Sequence, residues 1–290
     1  MKTLIIVNGR CRRSPATNRA LREIKRYPDI TTVFSERAGH TAELAAGAAE
    51  YAILVAAGGD GTAFEVLNAM DLKNQALGII PLGRSNAFAH DLGLKSWETA
   101  IAAIRAGQTR QIDIIECLMR DGNNELKKYF LSTAGLGVAE ATACFAGKYL
   151  KPLGNAGYML AGCLLPLVLK PLRAVIQIGS GAAQDIAFSI FVLNNTPHMG
   201  MLEVFPGARI DDGTFDFFYG RTNFFTQLAW NISPADRIKG YRPGKQSAAQ
   251  LSLRLEKPAF LELDGERLGP AQEIKFKIAP SKLRVMTPSL

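Results

Sequence analysis

The sequence contains little of the material from which metal centres and disulfide frameworks are built. Among its 290 residues there are four cysteines and three histidines. The cysteines lie far apart without metal-ligand spacing, and a disulfide framework is not expected in a chain of this size. The histidines form no sequence-adjacent zinc pattern. We therefore expect reduced thiols and a cytoplasmic location.

Long hydrophobic runs are also missing. The uncharged apolar run Tyr158–Leu169 is too short to span a bilayer. The apolar run Leu4–Val7 near the start is too short for a signal peptide. Hydrophobic residues nevertheless make up 48% of the chain and charged residues 21%, which favours a globular protein with a sizeable core in two domains.

Two common nucleotide-binding fingerprints are absent. No Gly-x-Gly-x-x-Gly follows the first predicted strand, and the stretch Gly135-Leu136-Gly137 lacks the third glycine. Gly240–Lys245 has the wrong spacing for a P-loop and is followed by Gln246, where Ser or Thr is required. The usual dinucleotide and P-loop enzymes are therefore excluded.

Basic residues exceed acidic ones, 34 Lys and Arg against 26 Asp and Glu, so the formal net charge is +8. An excess of this size steers a protein towards anionic partners. No run of basic residues alternates with aromatic ones, so nucleic acid is not an expected partner.

The most informative stretch is the glycine-rich segment inside Val55–Val66. An apolar run, Ala52–Ala57, predicts a buried strand of a parallel sheet. Thr62 and Glu65 have the spacing of a capping box, so we expect a helix to begin at Thr62. A helix N-terminus after glycines favours a phosphate group. Asp60 would repel that phosphate unless Mg²⁺ lies between them. The alternative is an ordinary strand-to-helix turn.

Strands and helices alternate in the first third of the chain, which predicts a Rossmann-like α/β domain over residues 1–110, with a parallel sheet between helices. The predicted strands are Leu4–Val7, Ile30–Ser35, Ala52–Ala57 and Ala76–Ile80. The predicted helices are Asn18–Tyr27, Thr41–Glu50, one from Thr62, a short one capped by Ser85, and Ser96–Ala106. Ligands of such sheets bind at the carboxyl ends of the strands.

Strand-rich sequence follows, and it predicts an antiparallel, β-sandwich-like domain over residues 111–279. Residues 280–290 are expected to return to the first domain. The predicted strands are Ile112–Arg120, Glu125–Thr133, Ala174–Ile178, Ile186–Leu193, Phe215–Tyr219, Leu251–Leu255, Phe260–Leu263 and Ile274–Ile278, with helices at Val138–Lys151 and Asn155–Lys170.

Three motifs in this order resemble the diacylglycerol kinase catalytic family, which includes bacterial lipid kinases and is distantly related to NAD kinases. They are Gly58-Gly59-Asp60-Gly61-Thr62, Pro81-Leu82-Gly83 through Asn86, and Leu263-Asp264-Gly265-Glu266. The resemblance covers nearly the whole chain. It implies a nucleotide-binding domain, a lipid-binding sandwich domain and an active cleft between them.

The resemblance also implies an activity: transfer of the ATP γ-phosphoryl group to a hydroxyl of a diacylglycerol-like or sphingoid lipid. Glu266 stands where the family has its general base, and Asp60 where it acts through Mg²⁺. The implied nucleotide-binding residues are Asn8, Ser35, Gly58, Gly59, Asp60, Gly61, Thr62, Arg84 and Asn86. Asp212 matches an acidic residue that holds a structural Mg²⁺ in some relatives, with the backbone carbonyls of Arg209 and Thr214; a plain hairpin turn is equally compatible.

The chain departs from the family pattern at three positions. Phe64 replaces an asparagine, Arg84 a threonine and Ala87 an aspartate. Arg84 is interpreted as a replacement phosphate contact. Two alternatives therefore stay open: a catalytically degenerate regulatory protein that binds nucleotide or lipid, and an NAD-kinase-like enzyme.

A lipid substrate presented at a membrane is the expected partner, which adds the inner membrane surface to the expected location. The run Tyr158–Leu169, flanked by Lys151, Lys170 and Arg173, resembles an interfacial helix over anionic lipid. A core helix packed on the sandwich is the alternative. The sequence does not determine the oligomeric state, and a homodimer stays open.

Overall fold

The computed structural model describes residues 2–83, 86–199, 202–232, 245–280 and 282–288. The chain divides into two compact units. The first contains Met1–Ile114 and Ala279–Leu290, and the second contains Ile115–Ile278.

The first unit is a sheet with helices. Its first five strands are β1 (Thr3–Val7), β2 (Ile30–Phe34), β3 (Ile53–Gly58), β4 (Ala76–Pro81) and β5 (Thr109–Ile112). Its helices are α1 (Pro15–Ile24), α2 (His40–Ala46), α3 (Asp60–Leu67), α4 (Ala87–Asp91) and α5 (Trp97–Ala106). Strands β1 and β3 are buried at every position, as expected for parallel strands covered on both faces.

The second unit is built on an antiparallel sheet. Its strands are β6 (Ile115–Asp121), β7 (Asn124–Phe130), β8 (Thr133–Gly137), β9 (Leu172–Ile178), β10 (Gln184–Phe188), β11 (Ile190–Asn194), β12 (His198–Met199), β13 (Leu202–Glu203), β14 (Phe215–Gly220), β15 (Gln246–Ala248), β16 (Gln250–Leu263) and β17 (Glu266–Ile278). Its helices are α6 (Val138–Tyr149), α7 (Asn155–Leu164) and α8 (Phe224–Ile232), with 3₁₀ turns at Lys151–Leu153 and Leu165–Leu167.

The last strand, β18 (Leu283–Met286), lies in the first sheet, whose order is β2-β1-β3-β4-β18-β5. Strand β18 is parallel to β4 and antiparallel to β5; the other pairings are parallel. The predicted α/β fold with a parallel sheet is confirmed.

The second sheet has the order β15-β14-β11-β8-β16-β17-β6-β7, and β9 pairs with both β10 and β16. The predicted antiparallel second domain is confirmed. Its core includes the ring of Phe191, whose centroid lies 6.3 Å from that of Phe217 and 6.1 Å from that of Phe276. Strand β16 pairs with β9 through Leu251–Leu255 and with β8 through Leu261–Leu263.

Several strand predictions were wrong in their boundaries. The predicted strand Ile112–Arg120 spans the break between β5 and β6, and Glu125–Thr133 spans the break between β7 and β8. Leu251–Leu255 and Phe260–Leu263 are parts of one strand, β16, whose pairing with β17 is irregular between Arg254 and Ala259. Pro258 lies in this interval, and proline has no N–H to give to a ladder. Conversely, the predicted strand Ile186–Leu193 is divided between β10 and β11.

The predicted start of α3 was also wrong. The helix begins at Asp60 with Gly59 as its N-cap, and Thr62 lies inside the first turn. The Thr62 hydroxyl does not cap the helix but accepts a hydrogen bond from Asn8 Nδ2 at 2.9 Å. The cap predicted at Ser85 falls outside the described residues.

Candidate functional site

The carboxyl ends of four neighbouring strands bring the predicted nucleotide-binding residues to one edge of the first sheet. Asn8 follows β1 and Ser35 follows β2. The glycine motif follows β3, and the second motif follows β4. Since the spatial order is β2-β1-β3-β4, these loops are neighbours along the edge. Open parallel sheets place their ligands at this edge.

Asn8 and Ser35 fix the loops around them. Asn8 Nδ2 donates to Thr62 Oγ1 at 2.9 Å, and its Oδ1 accepts the Arg10 N–H at 3.0 Å. Ser35 Oγ accepts the Gly9 N–H at 3.2 Å. Both side chains therefore connect the first loop of the sheet to its neighbours. The sequence analysis predicted that Asn8 and Ser35 contact the nucleotide. It did not predict that their side chains hold neighbouring loops together.

The glycine motif and the second motif are packed backbone against backbone. A Cβ atom at Gly58 would overlap the Thr62 side chain, and one at Gly83 would overlap Gly59 Cα. Gly83 N–H donates to Gly58 O at 3.0 Å. The glycines are therefore needed for the approach of the two loops, whose backbones form one continuous surface.

Asp60 lies at the junction of the two motifs. Its Oδ2 accepts the N–H of Ala87, the first residue of α4, at 3.3 Å. Burial raises the pKa of the Asp60 carboxyl, and backbone N–H groups of Ala87, Phe88 and Asn86 oppose that rise. The carboxyl group thus lies against the start of α4, where N–H dipoles stabilise its charged form.

Asn86 holds the second motif in shape. Its backbone has a positive φ of 51°, which asparagine tolerates better than most residues. Its Oδ1 accepts the Gly83 N–H at 3.0 Å, and its Nδ2 donates to Gly83 O at 2.8 Å. Arg84 lies outside the described residues. Of the other two departures from the family pattern, Phe64 is buried, and Ala87 donates its backbone N–H to Asp60.

The third motif forms the hairpin turn between β16 and β17. Leu263 pairs with Glu266, and both turn residues, Asp264 and Gly265, have positive φ (48° and 87°), as in a type I′ turn. Glu266, the predicted general base, is exposed at the first position of β17. The turn therefore presents this carboxylate to solvent in the second unit.

Asp264 has a structural role that the sequence analysis missed. Its buried carboxylate accepts the N–H groups of Leu131 and Ser132 at 2.8 Å and of Thr133 at 2.9 Å. Asp264 N–H in turn donates to Thr133 O at 2.9 Å. These bonds fasten the turn that bears Glu266 to the segment leading into β8. The Asp-Gly pair in the sequence predicts a turn, but it does not indicate that the Asp264 carboxylate binds N–H groups far away in the chain.

Three further charged residues surround this turn and were also missed. Glu262 is buried and accepts the Gly265 N–H. On the neighbouring strand, Arg267 Nε lies 2.6 Å from Glu140 Oε1, and its guanidinium lies 3.7 Å from the Phe260 ring centroid. The only signal in the sequence was a glutamate between two apolar residues of a predicted strand, Leu261 and Leu263.

Gly135 makes room for Glu262, because a Cβ atom at Gly135 would lie 3.0 Å from Glu262 Oε2. Burial raises the pKa of Glu262 to about 8, the carboxyls of Asp264, Glu140 and Glu266 add to the rise, and the Gly265 N–H opposes it. The side chain is therefore largely protonated at neutral pH, unlike an ordinary glutamate.

This raised pKa makes stability depend on pH. Protonated Glu262 is favoured in the folded state, so its contribution is fully present below the ordinary pKa of 4.5 and is lost as pH rises through about 8. We expect Glu262→Gln, which resembles the protonated acid, to unfold at a higher temperature than the unmodified protein at pH 9 and at a similar temperature at pH 5. Thermal unfolding followed by circular dichroism measures this.

The exposed Glu256→Gln is the matched control, because its carboxyl is in solvent on the same strand. Its melting temperature should equal that of the unmodified protein at both pH values. Equal melting curves of Glu262→Gln and the unmodified protein at pH 9 would contradict an ionisation of buried Glu262.

The residues predicted to hold a structural metal lie in the loop before β14. Asp212 Oδ1 accepts the N–H of Thr214 at 3.0 Å and its hydroxyl at 2.9 Å. The Arg209 side chain lies 3.4 Å from Asp211 Oδ1. Within the described ranges, no three Asp, Glu, His or Cys side chains group as metal ligands would. A magnesium ion on the carbonyls here stays a prediction.

Two surface cavities are lined by residues other than those of the predicted site. One, of about 530 Å³, is lined by Asn18, Leu21, Arg22, Lys25, Thr32 and Phe34. The other, of about 190 Å³, is lined in part by Tyr27 and Arg105. In the part of the chain that the structure describes, no helix combines the length and apolar character that crossing a bilayer requires.

Sequence comparison gives one family match and several relatives. The family model described as "Diacylglycerol kinase catalytic domain" matches residues 2–117. A diacylglycerol kinase of Bacillus subtilis (strain 168) is 30% identical over 226 residues, which cover 75% of this chain and 72% of the relative. A "Probable lipid kinase YegS-like" of Pseudomonas aeruginosa is 27% identical over 83% of this chain and 78% of its own length.

Structure comparison finds the same fold in solved proteins. A diacylglycerol kinase from Bacillus anthracis str. Sterne matches with a TM-score of 0.69 at 17% identity, covering 99% of this chain and 96% of that one. An NAD kinase from Archaeoglobus fulgidus, solved in complex with ATP, matches with a TM-score of 0.53 at 13% identity over 99% and 94%. At these identities the likeness concerns the fold.

Proposed function

Because this chain belongs to the diacylglycerol kinase catalytic family, we propose that it is an ATP-dependent lipid kinase. It transfers the γ-phosphoryl group of ATP to a hydroxyl of a diacylglycerol-like or sphingoid lipid. The observation that carries the proposal is the junction of the first two motifs at the carboxyl edge of the first sheet. There Gly58, Gly59 and Gly83 pack together beside Asp60.

The residues present fit a nucleotide phosphate. The first N–H groups of a helix have no acceptor within the helix. In α3 the Gly61 N–H is one of them, whereas the Asp60 N–H bonds to its own carboxyl group. Backbone N–H groups at a helix N-terminus are suited to phosphate oxygens. Because the half-buried Asp60 carboxyl lies beside them, a cation is needed to join it to an anionic ligand. Magnesium, when bound, would offset the phosphate charge, and Asp60 is the residue that would hold it.

Glu266 is proposed as the general base. As the hydroxyl oxygen of the lipid forms its bond to the γ-phosphorus, the bond to the ADP oxygen breaks and the hydroxyl proton passes to the Glu266 carboxylate. Phosphoryl transfer needs positioning and charge neutralisation more than covalent chemistry from the protein. The turn that bears Glu266 is fixed by Asp264 and Glu262, which supports a positioned role for this side chain.

Two other functions are weighed against this one. An NAD-kinase-like enzyme shares the fold and the glycine motif, but the sequence match to the family favours a lipid acceptor. A degenerate protein that only binds nucleotide or lipid is suggested by Phe64 and Ala87. Retention of Asp60 and Glu266 favours catalysis.

Incubation with γ-labelled ATP, Mg²⁺ and a panel of diacylglycerol, sphingosine, ceramide and NAD tests the function. We expect label in a lipid. Label in NAD would establish the NAD-kinase alternative, and ATP binding without transfer would establish the degenerate one.

Asp60→Asn separates the two roles of Asp60. The asparagine Oδ1 still accepts the Ala87 N–H, so the start of α4 is kept, but the negative charge is lost. If Asp60 holds magnesium, the variant should need at least about tenfold more Mg²⁺ for half-maximal rate, since carboxylates are the preferred ligands of this ion. An unchanged Mg²⁺ requirement would show that Asp60 does not hold magnesium and serves only to accept the N–H at the start of α4. Asp71→Asn, in an exposed loop, is the control.

A further inference from the structure

The helices of the second unit bear most of the exposed large apolar side chains. Within the described residues, ten of fourteen such side chains lie on α6, α7, α8 and the adjoining 3₁₀ turns, and an eleventh, Val168, directly follows the second turn; we call this set the helical face. The most exposed are Phe225 at 77%, Val168 at 74% and Leu167 at 64%. Large exposed apolar patches on soluble proteins mark sites of interaction.

The three helices form one packed layer, in which α7 contacts both α6 and α8. Gly157 allows α7 to approach the end of α6 closely, because a Cβ atom there would lie 2.7 Å from Leu150 O. On the side of α8, a Cβ atom at Gly162 would lie at ordinary van der Waals distance, 3.6 Å, from Gln227 Oε1. The exposed apolar side chains therefore belong to a preformed surface rather than to separate segments.

Apart from Glu140 of α6, which is buried and paired with Arg267, the charged residues of this layer are basic. Residues 141–184 contain four Lys and Arg and no Asp or Glu, and residues 217–232 contain Arg221 and likewise no acidic residue. Lys148 Nζ lies 5.0 Å from the ring centroid of exposed Tyr149, and Lys170 is exposed at the end of the apolar run. Aromatic and leucine side chains edged by cations are typical of segments that lie in a bilayer interface.

We propose that the helical face docks on an anionic lipid bilayer, with its apolar side chains entering the acyl boundary and its lysines and arginines at the headgroups. A second copy of the chain fits less well, because a symmetric dimer would bring two cationic faces together. The proposal rests on the proposed function in one respect: it names the surface from which a lipid acceptor would be taken. The face belongs to the same unit as the Glu266 turn.

Flotation of the full-length protein with vesicles tests the docking. The vesicles are phosphatidylcholine alone or phosphatidylcholine with about one third phosphatidylglycerol. We expect flotation with the anionic vesicles, weakened at 0.5 M salt, because screening shortens the reach of surface charges. Each lysine near the surface should contribute about fivefold to partitioning, so Lys170→Gln should lower it by about that factor.

The double variant Leu167→Ser and Val168→Ser removes two exposed apolar side chains, so its fold should be kept; we expect at least a tenfold fall in partitioning. Leu126→Ser is the matched control, because Leu126 is an exposed leucine on β7. Absence of flotation, equal flotation with neutral vesicles, or equal partitioning of the double variant would each overturn the proposal. So would a change from dimer to monomer in the double variant by light scattering.

A soluble acceptor separates this proposal from the proposed function. When the acceptor is a short-chain diacylglycerol below its aggregation limit, the double variant should phosphorylate it at the same rate as the unmodified protein. Flotation with no phosphorylation of any acceptor would count against the kinase while leaving the docking surface in place. A loss of activity on the soluble acceptor would show that the two residues serve the reaction, contrary to a docking role.

Discussion

Glu266→Gln is expected to lower kcat for transfer from ATP to lipid by about 10²- to 10⁴-fold, the usual contribution of a general base. Glutamine has nearly the shape of glutamate but cannot take the proton of the acceptor hydroxyl. The turn itself should survive, because its fixed bonds are made by Asp264 and Gly265. Rates measured with labelled ATP at saturating substrate, together with the melting temperature, give the result.

The control for this prediction is Glu256→Gln, an exposed carboxylate on the preceding strand. It should leave both kcat and the melting temperature unchanged. If Glu266→Gln kept its full kcat, the proton would have to go elsewhere, and the role assigned to Glu266 would be wrong. A rise in KM alone would indicate that Glu266 binds substrate without acting as base.

Asp264→Ala is expected to lower the free energy of unfolding by about 3 kcal/mol or more. Three N–H groups, those of Leu131, Ser132 and Thr133, would lose their shared acceptor. An orphaned buried donor costs about 1–3 kcal/mol. Alanine would also have to adopt the positive φ of 48°, which aspartate tolerates better. Urea unfolding followed by circular dichroism measures the loss.

Two variants calibrate this prediction. Asp264→Asn keeps one oxygen acceptor and should lose less stability than the alanine variant. Asp121→Ala changes an aspartate at the end of β6, beside the turn that joins β6 to β7, where the carboxylate accepts no hydrogen bond among the described residues; this variant should be nearly neutral. A loss of less than about 1 kcal/mol in Asp264→Ala would show that water replaces the carboxylate at those N–H groups.

Local pattern was sufficient for most of the first sheet. Apolar runs ended by glycine or proline predicted β3 and β4 to within a residue or two. The prediction succeeded because a parallel strand that is buried on both faces consists almost entirely of apolar residues. The capping box at Thr62 was wrong because a tertiary contact overrode a local preference. Thr62 is held by Asn8, which is 54 residues away in the sequence. Strand breaks inside continuous apolar sequence, as between β10 and β11, also depend on pairing partners rather than on composition.

In the candidate site, too, local motifs could be predicted from the sequence, whereas contacts between distant residues could not. The glycine motif, Asn8, Ser35 and Asn86 were found from the sequence and its resemblance to a family, and the structure places them along one edge. The partners of Asp264 could not be predicted, because they lie more than 130 residues away. The raised pKa of Glu262 depends on burial and on neighbouring carboxyls from separate strands and helices, so composition carries no sign of it.

The place of β18 has a consequence for how the chain is made. The strand lies between β4 and β5, so these two cannot join into one sheet until Leu283–Met286 has been synthesised. On a ribosome, the second unit is complete in sequence before the first one is. Until then the edges of β4 and β5 are open templates for other chains. The nucleotide-binding edge proposed here would therefore reach its final sheet only after Leu283–Met286 has left the ribosome.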